Sequence, residues 1–161
     1  MLDVLAADDA APIRAACIDV DDEAIAYASD RARALGVAHR VDFAHDNAIR
    51  LSRGRGRLEL PPQHLIYSVG LIDHLEDEHI VRLLDWIHDR LVPGGTVILG
   101  NFDVDNPDRA FMDHIIEWRL IYRSADDLRA LFARSRFGGA PVDVRAEDQG
   151  INLFAFCARA A

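Results

Sequence analysis

Several acidic and polar residues stand where apolar runs end, and those positions carry the chemistry this chain could do. Asp19 lies at the end of Ile13–Val20 and is followed directly by Asp21, Asp22 and Glu23. In a parallel α/β sheet the side chains at strand ends face the ligand crevice, and a carboxylate there can accept both hydroxyls of a ribose. The bland alternative is helix capping, which Asp favours; Asp21 reads as the cap and Asp19 as the ligand residue. NAD-binding domains use the same acidic strand end, so Asp19 does not by itself choose a ligand. Asp46 and Asn47 trail a second run, Val41–Ala44, where turn chemistry alone would also favour them. Ser68, Val69 and Gly70 close a third run that begins at His64. His74 lies in the loop beyond, able to act as a base or to remain a solvated histidine. Asn101 follows a fourth run, Thr96–Leu99, in a polar stretch through Pro107 that suits a lid. Tyr122 and Arg123 end Glu117–Arg123, which is richer in polar aromatics than a core needs and suits an acceptor pocket. Neither HExxH nor CxxC occurs, and no catalytic triad is visible, so no metal site is expected. Cys17 and Cys157 fall in expected strands and read as reduced core thiols.

The elements that must position these residues follow from hydrophobic spacing. Ile80, Leu84, Ile87 and Leu91 recur at helical spacing between charged residues, and Glu76, Asp77 and Glu78 load the first turn where the helix dipole favours anions. Pro93-Gly94-Gly95 is expected to stop that helix before Thr96–Leu99. His64–Ser68, an unbroken apolar run, reads as a strand buried on both faces. Together these make a strand–helix–strand unit, a right-handed crossover if the strands are parallel. Upstream, Met1–Ala7 reads as the end of a helix, broken over Asp8–Pro12. Asp21–Glu23 open a helix with Ile25, Ala28, Ala32 and Leu35 on its apolar face and Gly36 at its end. Ile49–Pro62 is irregular. Beyond Pro107 a helix is expected with Phe111, Ile115 and Trp118 as a core stripe. Ser124 and Asp127 form an N-terminal box for a helix carrying Leu128, Leu131 and Phe132 and ended by Gly138-Gly139. Val142–Arg145 and Leu153–Cys157 are the closing strands.

These motifs, in this order, resemble the class I S-adenosylmethionine (SAM)-dependent methyltransferases. Leu91–Leu99 is similar to the turn and fifth strand of that family, Tyr67–Leu75 to its fourth strand and loop, Cys17–Asp21 to its ribose-binding strand end, and Val41–Asn47 to its third strand. The resemblance is greatest to bacterial small-molecule or fatty-acyl methyltransferases and covers most of the chain. It implies an α/β, Rossmann-like, doubly wound sheet, mostly parallel with a C-terminal antiparallel strand, in a single domain over residues 1–161. It implies SAM as cofactor, held by Asp19, Val20, Asp46, Asn47, Ser68, Val69 and Gly70, with Asp46 or Asn47 meeting the adenine amino group. Asn101, Tyr122 and Arg123 would contact the acceptor, and His74 would serve as base where the acceptor needs one. The chain departs from the family at its start. Too few positions separate Asp3 from Asp19 to hold a strand end, loop, helix and strand, and no glycine lies in Leu5–Asp9. The family's first strand and glycine-rich loop, which lets backbone approach the cofactor, are therefore expected to be missing, as in a truncated domain.

Composition bounds the alternatives. The 161 residues suit one domain, half of them are hydrophobic, and the net charge is −9. That charge argues against a nucleic-acid binder, whose affinity rests on Lys and Arg contacts to phosphate. Arg50, Arg53, Arg55 and Arg57 lie in one loop-like stretch, which reads as solvated rather than anion-binding. No apolar run reaches the roughly 18 residues of a membrane span and no signal peptide is visible, so a cytoplasmic protein with no membrane insertion is expected. Three functions stand: SAM-dependent methyl transfer to a small-molecule or acyl acceptor, a non-catalytic remnant or partner-binding subunit, and a nicotinamide oxidoreductase. Under the second, the gap left by the first strand would be filled by dimerisation or strand exchange.

Overall fold

A computed structural model describes residues 1–8, 11–56 and 58–161. Residues 9, 10 and 57 lie outside that description, so the break expected over Asp8–Pro12 is described only in part. The chain forms two compact units, Met1–Glu59 and Leu60–Ala161.

In the first unit α1 (Leu2–Ala7) precedes β1 (Ala15–Asp19), α2 (Asp22–Ala34), β2 (Val41–His45) and the short α3 (Ala48–Ser52). β1 and β2 pair in parallel, with Asp19 opposite His45, so both strands end at one edge. Asp21 caps α2 by accepting the Glu23 N–H at 2.8 Å. Gly36 takes φ +74° just past that helix, a conformation that costs glycine little. The core gathers Leu5, Ala32, Val37 and Val41, with Cys17 and Phe43 packed against it. Leu35, expected on the apolar face, is 38% exposed because it lies past the helix end. Arg40 is buried and donates to the carbonyls of Leu5, Asp8, Ala11 and Ile13, tying the segment after α1 to the turn before β2.

In the second unit β3 (Gln63–Ser68) leads through a 3₁₀ turn, Ile72–His74, into α4 (Asp77–Arg90) and β4 (Leu91–Phe102). There follow α5 (Arg109–His114), α6 (Ala125–Ala133), β5 (Val142–Ala146) and β6 (Asn152–Ala158). The sheet order is β3-β4-β6-β5, with β3 parallel to β4 and the last two pairs antiparallel. The chain is thus mixed α/β with parallel pairs and an antiparallel C-terminal pair. α4 buries Ile80, Leu83, Leu84, Trp86 and Ile87, and α6 adds Leu128, Leu131 and Phe132. The Ser124–Asp127 capping box is formed from both sides.

Four details differ from the sequence reading. β3 is not buried on both faces: Leu65 and Tyr67 are 44% and 45% exposed. A short unbroken apolar run does not tell a one-face strand from a two-face one. The helix before Pro93 stops at Arg90, and Leu91 is already extended as the first residue of β4. Gly94 then takes φ +77°, and the backbone at Gly95 lies so close to the Val92 and Gln63 carbonyls that a Cβ would fall 2.9 and 3.1 Å from their oxygens. α6 ends at Ala133, ahead of Gly138. The Phe111, Ile115 and Trp118 stripe is 54%, 68% and 46% exposed rather than core, because α5 is only six residues long and buries Met112 instead.

Candidate functional site

In the first unit a pocket of about 390 Å³ lies at the carboxyl ends of β1 and β2, lined by Val20, His45, Asp46, Asn47 and Arg50. Val20 is 55% exposed there, an apolar side chain set among polar ones. Asp19 Oδ1 accepts the N–H groups of Val20 and Asp21 at 2.7 and 3.1 Å. These bonds order the turn and leave Oδ2 without a partner among the described residues. Asp46 is more engaged: Oδ1 accepts the Asn47 N–H at 2.7 Å and Oδ2 the Leu58 N–H at 3.3 Å. Asn47 caps α3, its Oδ1 accepting from Ile49 and Arg50 N–H, so its amide nitrogen is the group left to donate.

Two residues of this pocket were not read as site residues from the sequence. β2 runs one residue past Ala44, which puts His45 on the edge, with Nε2 2.9 Å from the Val20 carbonyl and Nδ1 3.4 Å from Asp22. A carbonyl only accepts, so that Nε2 carries the proton. Arg50 was grouped with a solvated loop, but the Asn47 cap starts a helix that carries it to the pocket wall. The signal was the Asn cap itself. Arg57, of the same basic stretch, lies outside the described residues.

In the second unit Ser68, Val69 and Gly70 end β3. Ser68 is half-buried, Val69 is 57% exposed, and Gly70 takes φ +78° with open space where a Cβ would stand. His74 is exposed, its ring centroid 6.4 Å from that of Trp118. Phe102 meets Trp118 and Tyr122 edge-on at 6.1 and 6.3 Å. Tyr122 is half-buried under the Arg109 guanidinium, 4.5 Å above its ring, and its hydroxyl donates to Asp113 at 3.4 Å. Burial, and then the Asp113 charge, push that hydroxyl above the usual tyrosine range.

Asn101 and Arg123 lie in the interior. Asn101 is fully buried, donating to the carbonyls of Phe102 and Ile121. Arg123 is 3% exposed and spends all five N–H groups inside the fold: on Ile72 O, Asn101 Oδ1, Leu75 O and twice on Asp77 Oδ1. Both side chains hold the turn after β3 and the end of β4 to the segment before α6, with nothing left for a ligand.

Asp73 was not singled out from the sequence. It is 1% exposed; Oδ1 accepts the Phe102 N–H at 2.7 Å, while Oδ2 is buried with no partner. Burial pushes its carboxyl above the usual range, opposed by the Phe102 N–H and more weakly by Arg123. Cys17 and Cys157 are free thiols, both pushed up by burial. Among the described residues no group of three or more His, Cys, Asp or Glu could hold a metal ion, and no helix is long and apolar enough to cross a membrane.

No protein-family model and no curated protein matches the chain in sequence. Solved structures match its fold. The S-adenosylmethionine-dependent methyltransferase SibL aligns over 99% of this chain and 47% of its own, with TM-score 0.75 and 17% identity. An O-methyltransferase family 2 protein from Planctomyces limnophilus, solved with apigenin, aligns over 99% and 47%, with TM-score 0.72 and 15% identity. A possible exported protein from Bordetella parapertussis aligns over 98% and 58%, with TM-score 0.74 and 19% identity. The chain thus has a methyltransferase fold and spans about half the length of these neighbours.

Proposed function

We propose that residues 1–161 act as a single methyltransferase-like domain that binds SAM and serves methyl transfer to a small-molecule acceptor. The observation that carries this is the pocket at the carboxyl ends of β1 and β2, whose lining residue Val20 directly follows Asp19. The residues fit an adenosine group. Asp19 Oδ2 is free to accept ribose hydroxyls, Val20 offers an apolar wall, and the Asn47 amide nitrogen can donate to a ring nitrogen. On the resemblance alone, Asp46 is assigned to the exocyclic amine. The cofactor supplies an activated methyl on a sulfonium, so the protein's task is alignment more than nucleophilic chemistry. On the resemblance alone, Ser68, Val69 and Gly70 are assigned to the methionine part, and His74 to proton removal where the acceptor needs it. The methyltransferase fold of the neighbours supports this over a nicotinamide oxidoreductase.

A second reading has an observation of its own. β1 pairs only with β2, and β3 only with β4, so each strand leaves one edge unpaired among the described strands. Unpaired edges attract strands. In the methyltransferase reading the family's first strand and glycine-rich loop, expected from the sequence to be missing here, would pair with such an edge. In the alternative, a partner chain or a second copy takes the edge and the protein is a non-catalytic subunit.

Calorimetric titration with S-adenosylhomocysteine tests the proposal. Micromolar binding, weakened about tenfold or more by Asp19→Ala, is expected. A folded chain that takes up none would leave the fold without the activity.

A further inference from the structure

We propose that His45 is a positioning residue of the first unit's pocket: its imidazole carries the β1–β2 pairing one residue further and so fixes the turn that presents Asp19 and Val20 to the ligand. The inference rests on the adenosine reading of that pocket only for the identity of the ligand. The register of the two strands ends at Asp19 opposite His45, with one further bond from the Asp46 N–H to the Asp19 carbonyl at 3.0 Å. Val20 lies beyond that point, outside both β1 and α2. Its carbonyl accepts from His45 Nε2 at 2.9 Å. A side chain of β2 thus makes the cross-strand bond at a residue where the backbone ladder has already stopped.

The turn has use for such a hold. Val20 lines the pocket and is 55% exposed, so packing does little to keep its side chain there. Its direction is set by the backbone instead. The bonds within the turn are local: Asp19 Oδ1 takes the N–H groups of Val20 and Asp21, and Asp21 Oδ1 takes that of Glu23. Such side-chain-to-backbone bonds shape a turn, but they tie it to its own chain neighbours and not to β2. The His45 bond ties Val20 to β2. The same ring also meets the start of α2, with Nδ1 3.4 Å from Asp22 Oδ1. One imidazole therefore touches the turn at both ends. His45 lines the pocket as well, which leaves two possible roles, wall or hold. The geometry favours the hold, because Nε2 is spent on Val20 and Nδ1 faces Asp22, so neither nitrogen is turned to a ligand.

Two variants separate these roles. His45→Gln removes the ring and keeps an N–H donor at the reach of Nε2; His45→Phe keeps a ring and removes the donor. The position is exposed, with 58% of the side chain open to solvent, so both chains should fold. S-adenosylhomocysteine is titrated calorimetrically into the wild type and both variants. Exchange of the Val20 and Asp21 amide protons is followed by NMR without ligand. One exposed hydrogen bond is worth a factor of about two to ten. His45→Phe is accordingly expected to exchange these amides about three- to tenfold faster and to bind the probe about three- to tenfold more weakly. His45→Gln should stay within about twofold of wild type in both. Wild-type affinity in His45→Phe, or a loss in His45→Gln as large as in His45→Phe, would overturn the inference, and weakening in His45→Gln alone would make the ring a wall. The two readouts keep the readings apart. A wild-type chain that takes up no S-adenosylhomocysteine while its amides respond as expected sinks the cofactor proposal alone. A probe bound equally by all three chains sinks this one alone.

Discussion

Arg123 Nη1 donates to Asn101 Oδ1 at 2.9 Å, and both side chains are buried. The same guanidinium reaches two carbonyls of the turn after β3 and the Asp77 carboxylate at the start of α4. A rigid fork of five donors suits this task; an ammonium does not. Arg123→Ala strands the buried oxygens of Ile72 and Asn101, each worth about 1–3 kcal/mol, so a loss of about 3 kcal/mol is expected in urea unfolding. Arg123→Lys should recover less than half of it. A loss below about 1 kcal/mol for the alanine variant would show that water replaces these bonds.

Arg40 plays the corresponding part in the first unit. Its carbonyl partners include Leu5 within α1 and Asp8, Ala11 and Ile13 on the segment that leads from α1 to β1. Arg40→Ala is expected to open that segment to proteases while leaving the rest of the chain folded. Mass analysis of a limited digest should show new early cuts near Asp8–Ile13; an unchanged pattern would mean that α1 packing through Leu5 suffices.

These two arginines mark where sequence reading stops. Elements with strong spacing, such as α4 with Ile80, Leu84 and Ile87, and capping signals such as Ser124 with Asp127, were legible because the cause is local. So were the edge positions Asp19, Asp46 and Asn47, since each ends an apolar run. Arg123 read as a ligand contact because a charged residue beside aromatics looks exposed in sequence. Its burial depends on Asn101 and Asp77, partners 22 and 46 positions away. The reverse error placed Phe111, Ile115 and Trp118 in a core: their spacing is helical, but the helix ends at His114 and turns Met112 inward instead. Asp73 carried no signal, because nothing local shows that its second oxygen goes unpaired.

Gly95 should not tolerate a side chain. A Cβ would meet the Val92 and Gln63 carbonyl oxygens at 2.9 and 3.1 Å, both of them backbone atoms at the bulge where β3 joins β4. Gly95→Ala is expected to cost about 1–3 kcal/mol through displaced backbone. Gly94→Ala should cost about 1 kcal/mol or more for a different reason, the φ of +77° with open space around it. Hydrogen exchange separates the two: Gly95→Ala should loosen the β3–β4 ladder, and Gly94→Ala only the turn.

Asp73 gives the chain a pH dependence whose sign can be worked out. Burial raises its folded pKa above the unfolded value, so between the two values the folded state holds more of the proton than the unfolded one. Stability from this group is therefore full at acid pH below the unfolded pKa and is lost as pH rises through the folded pKa. Asp127 works in the opposite sense. The Ser124 hydroxyl and N–H lower its pKa, so its contribution is present above the unfolded value and lost as pH falls through the folded one. Replacing Asp73 by Asn removes the first effect and leaves the second. Urea midpoints followed from pH 4 to 8 (a span of about four units around the carboxylate range) should thus rise for Asp73→Asn relative to wild type at the neutral end and converge at the acid end. A midpoint for Asp73→Asn below wild type at neutral pH would mean that the buried carboxylate is charged and held by Arg123, and that Oδ2 has no proton to donate.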